Sequence, residues 1–185
     1  MLITSELEKS RQALLELKRE EGQMKTSKEV TTKPLSAEQQ LKGFIAKFEP
    51  KHQAMIRSVR KAFRKRFPSA NELVYDYSKF FVIGYSPTGR GIDSVISIVR
   101  GADGLRLYFN QGPKLPDPKK ILLGSGKQTR FIRIESPKTL ILPEVEALLE
   151  KTIDRAKIPF RPSGRGTLII KSSSATRQPR RKPKR

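Results

Sequence analysis

Between Pro143 and Ala156, six residues recur at helical spacing: Val145, Leu148, Leu149, Thr152, Ile153 and Ala156. Offsets of three, four, seven, eight and eleven place them on one stripe of an α-helix whose other sides are charged. A lone helix of this length is marginal in water. The chain must therefore supply a second apolar surface for this stripe to cover.

That surface is expected from a series of short segments rich in β-branched and aromatic residues, separated by turn residues. They are Glu72 to Tyr77, Lys79 to Tyr85, Ser94 to Arg100, Leu105 to Asn110 and Thr129 to Glu135. In the fourth, Leu105, Leu107 and Phe109 alternate with Arg106 and Tyr108, as a half-buried strand requires. Ala102-Asp103-Gly104 supplies a tight hairpin turn between the third and fourth. The fifth has apolar residues on both sides, Phe131 against Ile132 and Ile134, so its buried face is left open.

Two further helices are expected ahead of the strands. Ser36 and Gln39 form the Ser-x-x-Gln capping box, followed by Leu41, Phe44, Ile45 and Phe48 at helical spacing. Pro50 stops that helix and opens the next, because proline is tolerated in a first turn. Met55, Ile56, Val59 and Phe63 form its apolar side, and Phe67-Pro68 ends it. Arg57, Arg60, Lys61 and Arg64 are assigned to the opposite side, with Lys65 at its edge. Helices, then strands, then a helix predict an α+β domain with helices on one face of a mainly antiparallel sheet.

The 185-residue chain has a formal charge of +21, and the excess is uneven. Residues 157–185 carry 10 lysines or arginines and no acid. The expected organisation is a helical extension (Ser5 to Glu21) and linker in residues 1–35, a domain over 36–158, and a basic flexible tail over 159–185. Thr167 to Lys171 offers one additional edge strand. A tail of one charge sign repels itself and attracts polyanions: RNA, DNA, acidic proteins or anionic lipid surfaces. No run of about eighteen apolar residues exists, so no membrane insertion is expected. The chain has no cysteine, which excludes disulfides and thiolate chemistry and fits a cytoplasmic location. His52 is the sole histidine and is expected on or beside an apolar helix face.

The segment Leu105 to Arg133 reads LRLYFNQGPKLPDPKKILLGSGKQTRFIR. Its order of apolar strand, Gly112, Leu115-Pro116-Asp117-Pro118, Leu122-Leu123-Gly124, Gly126-Lys127 and Arg130 resembles the YdhG-like family of domains of unknown function. Weaker similarity runs from about Ala37 to Ile158. The resemblance implies a frataxin-like sandwich, and some relatives are described as iron chaperones. An iron surface requires clustered oxygen ligands. The first two helices here instead hold Glu38 and Glu49 among Lys42, Lys47, Lys51, Arg57, Arg60, Lys61, Arg64, Lys65 and Arg66.

Two candidate sites follow. Gly124-Ser125-Gly126-Lys127 is not a P-loop, since Ile121 stands where the first glycine belongs and Gln128 follows the lysine. It offers either a tight turn or a nest of backbone N–H groups in which Lys114, Lys127 and Arg130 meet one anion. The second candidate is a polyanion surface made of Arg57, Arg60, Lys61, Arg64 and Lys65 with the tail residues Arg180, Arg181 and Lys182. Asp117 is expected to cap the turn from Pro118 to Leu122. Tyr75, Tyr77, Phe80 and Phe81 are expected in the core, with base stacking as their other use. With no catalytic set or cofactor motif evident, the sequence reads as a non-enzymatic nucleic-acid or polyanion binder. The alternative is a small-anion or iron carrier using the Gly124–Arg130 turn.

Overall fold

A computed structural model describes residues 34–172. The expected Ser5 to Glu21 helix and the tail residues Arg180, Arg181 and Lys182 lie outside the described residues. Helix α1 spans Ala37–Ala46, and the reciprocal Ser36–Gln39 box is formed as anticipated, with Gln39 N donating to Ser36 Oγ at 3.3 Å and Ser36 N to Gln39 Oε1 at 2.8 Å. Helix α2, Pro50–Arg66, starts on its proline and ends at Phe67. Helix α3, Pro143–Asp154, also starts on proline, with Glu144 and Glu146 in a first turn where negative charge complements the helix dipole.

Between α2 and α3 lie β1 (Asn71–Asp76), β2 (Phe81–Ser86), β3 (Ile96–Gly101), β4 (Gly104–Asn110) and β5 (Thr129–Ile134). A sixth strand, β6 (Leu168–Ser172), follows α3. The sheet order is β5-β4-β3-β2-β1-β6. The first five strands pair antiparallel in sequence order, and β6 pairs parallel to β1. The architecture is therefore α+β with a mixed, unclosed sheet. The sheet runs past Ile158 into the segment assigned to a flexible tail, and uses the stretch offered as an edge strand. Its path is pinned where Gly166 N donates to Pro68 O at 2.9 Å; a Cβ at Gly166 would collide with the Ala70 carbonyl.

The β3–β4 hairpin closes through Ala102-Asp103, with Gly104 at φ +120°, a conformation that favours glycine. Register aligns Val74, Ile83, Ile98, Leu107 and Ile132 across one face, all at most 4% exposed. They share a core with Leu41 and Ile45 of α1, Ile56, Val59 and Phe63 of α2, and Val145, Leu148 and Leu149 of α3. All three described helices thus cover one face. Ile132 and Ile134 of β5 are buried, whereas Phe131 is half-buried and Arg133 exposed, which resolves the face left open above.

Strand β1 departs from a simple alternation. Its carboxylates Glu72 and Asp76, each 3% exposed, lie on the helix side with Val74. Lys47, at the end of α1, holds Asp76 at 2.5 Å, and Arg60 of α2 holds Glu72. Tyr75 consequently faces the other side of the sheet.

Candidate functional site

The two sites expected from sequence fare differently once folded. On α2, Arg57, Lys61 and Lys65 are exposed, and Arg57 Nη2 donates to Gln53 Oε1 at 2.9 Å. Arg60 is not on the outer side. Its side chain is 15% exposed and forks onto two carboxylates, with Nη2 at 2.6 Å from Glu72 Oε2 and 2.7 Å from Glu38 Oε1. Arg64 Nη1 joins the same pair at 3.0 and 3.2 Å. Burial would lower the Arg60 pKa, but hydrogen bonds to Glu72 and Glu38 overcome it and leave the group above its ordinary value. The hydrogen bond from Arg60 also holds the Glu38 carboxyl below its ordinary value. The stripe therefore loses two of its five cations to internal ion pairs. Arg60 lies four residues after Ile56 and three before Phe63, both buried, and that spacing already places it at the flank of the apolar side.

The glycine turn is held from within. Arg130 Nη1 donates to the carbonyls of Gly126 and, at 3.0 Å, of Thr129. Gly124 has φ +97°, and a Cβ there would come within 3.1 Å of the Phe131 ring. Leu123 and Phe131 exchange backbone hydrogen bonds of 2.7 and 3.0 Å, which fastens the segment to β5. Ser125 and Lys127 are exposed in this segment, and Lys114 is exposed at the end of the 3₁₀ turn Gly112–Lys114 beside Arg130. The turn is thus organised around packing and carbonyl bonds, and Arg130 is committed to it. Asp117 caps its turn as expected, accepting from Ile121 N at 3.0 Å and Leu122 N at 2.8 Å. His52 is partly exposed at the flank of α2, its Nδ1 3.1 Å from Arg100 Nη2. Among the described residues no group of three or more His, Asp or Glu side chains is placed to hold a metal ion.

The face of the sheet opposite the helices carries a different constellation. Register aligns Leu73, Gly84, Ser97, Tyr108 and Phe131 across β1 to β5, and beside them Tyr75, Val82, Val99, Arg106 and Arg133. The Pro87–Ser94 loop shields the β1–β6 end: Gly89 packs toward Ile169, Gly91 meets the Tyr75 hydroxyl, and Leu73 is fully buried. From β2 to β5 the face is only partly covered, with Val82, Ser97, Val99, Arg106, Tyr108 and Phe131 half-buried and Arg133 exposed.

Tyr108 and Phe131 are direct cross-strand neighbours with ring centroids 5.0 Å apart. The Arg106 guanidinium lies 4.5 Å from the Phe131 centroid, donates to Tyr108 Oη at 3.3 Å and pairs with Asp103. Those hydrogen bonds, to Tyr108 and then to Asp103, raise its pKa above the ordinary arginine value. Arg106 also stands directly opposite Arg133, an unfavourable placement for two like charges. Among the described residues its Nε is buried without a hydrogen-bond partner, a cost of about 1–3 kcal/mol for such a group. At the other end of the face Tyr75 and Tyr77 stack at 6.0 Å and 10°, and Phe80, 44% exposed, packs 4.7 Å from Tyr77. Of the four aromatic residues expected in the core, only Phe81 is there. Tyr75 and Tyr77 fall outside it because β1 turns its carboxylates inward, and Phe80 lies in the β1–β2 turn. Comparison with protein-family models, with curated proteins and with solved structures gives no match.

Proposed function

We propose that this chain is a non-enzymatic nucleic-acid-binding module that lays a strand with accessible bases across the partly covered sheet face opposite the helices. The observation that carries the reading is the Arg106–Arg133 cross-strand pair set beside the Tyr108–Phe131 ring pair. Two arginines sharing one nearby acid, Asp103, gain from an added anion, and aromatic faces beside them stack bases without regard to sequence. The form of the sheet favours a single strand over a duplex. Six strands span about 24 Å at the usual spacing, about twice the width of a B-DNA major groove. The unbalanced charge of the chain, concentrated after residue 157, supplies long-range attraction to phosphates.

This moves the contact surface from the α2 stripe, where Arg60 and Arg64 are already paired, to the opposite side of the sheet. The YdhG-like resemblance rests on the Leu105–Arg133 motif, and the sandwich it implies also packs helices on one face of a sheet.

The test is fluorescence anisotropy with labelled RNA octamers. Stacking on one ring contributes about 1–3 kcal/mol, so Phe131→Ala is expected to weaken binding about fivefold or more. Arg133→Ala should weaken it and flatten its salt dependence. Unchanged affinity in both variants, together with a loss in Lys61→Ala/Lys65→Ala, would return the site to the helix.

A further inference from the structure

Between the two aromatic ends of the sheet face lies a cup of about 280 Å³, walled by Tyr75, Tyr77 and Asn110. Its floor is Gly84 in the middle of β2, flanked by Ser94 and Ser97. A Cβ at Gly84 would come within 3.0 Å of Ser94 Oγ and 3.5 Å of Ser97 Oγ, so both hydroxyls converge over the space that the glycine leaves empty. Neither hydroxyl has a hydrogen-bond partner among the described residues, although Ser94 is 9% exposed. Asn110 donates its Nδ2 to Ser94 O, which fixes the carboxamide and leaves Oδ1 as an acceptor. Gly91 lets the Tyr75 hydroxyl close one side, since a Cβ there would lie 2.5 Å from that oxygen.

A polar floor, hydroxyls open to the cup, a fixed acceptor and ring walls suit a flat heterocycle with hydrogen-bonding edges, and do not suit an apolar side chain. We propose that this cup is a nucleobase subsite that favours bases carrying an exocyclic amino group beside an acceptor ring nitrogen, adenine or cytosine. Asn110 Oδ1 accepts from the amino group, and Ser94 and Ser97 bond the adjoining ring nitrogen or carbonyl. The inference rests on the single-strand reading above and adds base preference to it. Tyr75 and Tyr108 stand on strands three spacings apart, about 14 Å, which a stacked strand spans in about four nucleotides. A strand held on the Tyr108–Phe131 pair can therefore deliver a base to the cup.

The experiment compares octamers of A, C and U on the full chain, and on Ser97→Ala and Gly84→Ala with thermal unfolding as a fold control. The wild type is expected to bind A or C about fivefold tighter than U, the worth of one net hydrogen bond. Each variant should lose that preference and bind the three octamers alike. Equal wild-type affinity for all three, or a preference that persists in Ser97→Ala, overturns the subsite and leaves the single-strand reading standing. No binding of any octamer overturns both.

Discussion

Replacing Arg60 by alanine should damage the fold far more than any ligand contact. Arg60 makes three contacts of 2.6 to 3.1 Å with Glu72, a carboxylate whose side chain is only 4% exposed. Removing one partner of a buried ion pair typically costs about 3–5 kcal/mol, because the remaining charge is stranded. Glu72 would keep Arg64 at 3.2 Å and the Tyr85 hydroxyl at 3.4 Å, which places the expected loss at the lower end, about 3 kcal/mol. With a urea m-value of about 2 kcal/mol/M, the unfolding midpoint falls by roughly 1.5 M. Urea titration followed by far-UV circular dichroism reads it directly. Lys61→Ala, one residue along but exposed, is the control and should stay within about 0.5 kcal/mol. Arg60→Met with Glu72→Leu should recover part of the loss, since a buried ion pair can often be exchanged for apolar packing, while the buried Tyr85 hydroxyl loses its Glu72 partner. An Arg60→Ala change below about 1 kcal/mol would refute the argument and return Arg60 to the list of surface cations.

Three other outcomes follow from the same structure. Gly166→Ala should detach β6 from β1, because its Cβ meets the Ala70 carbonyl; amide exchange at Glu72 and Val74, whose N–H groups face β6, would accelerate while the α3 amides stay protected. Acid should destabilise the domain in a defined window. Glu38 has its folded pKa held below the ordinary 4.5 by the Arg60 hydrogen bond, so its contribution is fully present above that value and is lost as pH falls through the folded pKa. Urea midpoints should therefore be flat from neutral pH to about 5 and then fall, with a shallower fall in Glu38→Gln; an identical slope in that variant would contradict the assignment. Deleting residues 173–185 should leave the urea midpoint unchanged while lowering octamer affinity and its salt slope, because the tail acts at long range.

Much of the helical layer was legible because its signals are local. The Ser36–Gln39 box, the prolines at 50 and 143 and the stripe from Val145 to Ile153 each act within a few turns of chain. The hairpin at Ala102-Asp103 was equally local. The ion cluster was not, because Glu38, Arg60 and Glu72 meet only when α1, α2 and β1 are packed together. The same long-range pairing misled the reading of β1. Glu72 and Asp76 look like solvent residues, yet cations on the helices draw them inward, and Tyr75 with Tyr77 is left to the other face. The parallel partner of β6 was likewise out of reach, since it depends on Gly166 passing beside Ala70, far from it in sequence. The candidate site suffered accordingly: the charged stripe was visible as composition, whereas the sheet face exists only as register.

Amide chemical-shift mapping of the isotope-labelled chain during titration with an RNA octamer tests the central claim most directly. The account predicts perturbations centred on Ser97, Arg106, Tyr108, Phe131 and Arg133, extending toward Tyr75 and Asn110. Perturbations confined to Arg57, Lys61 and Lys65 on α2, or to the Gly124–Lys127 turn, would contradict it.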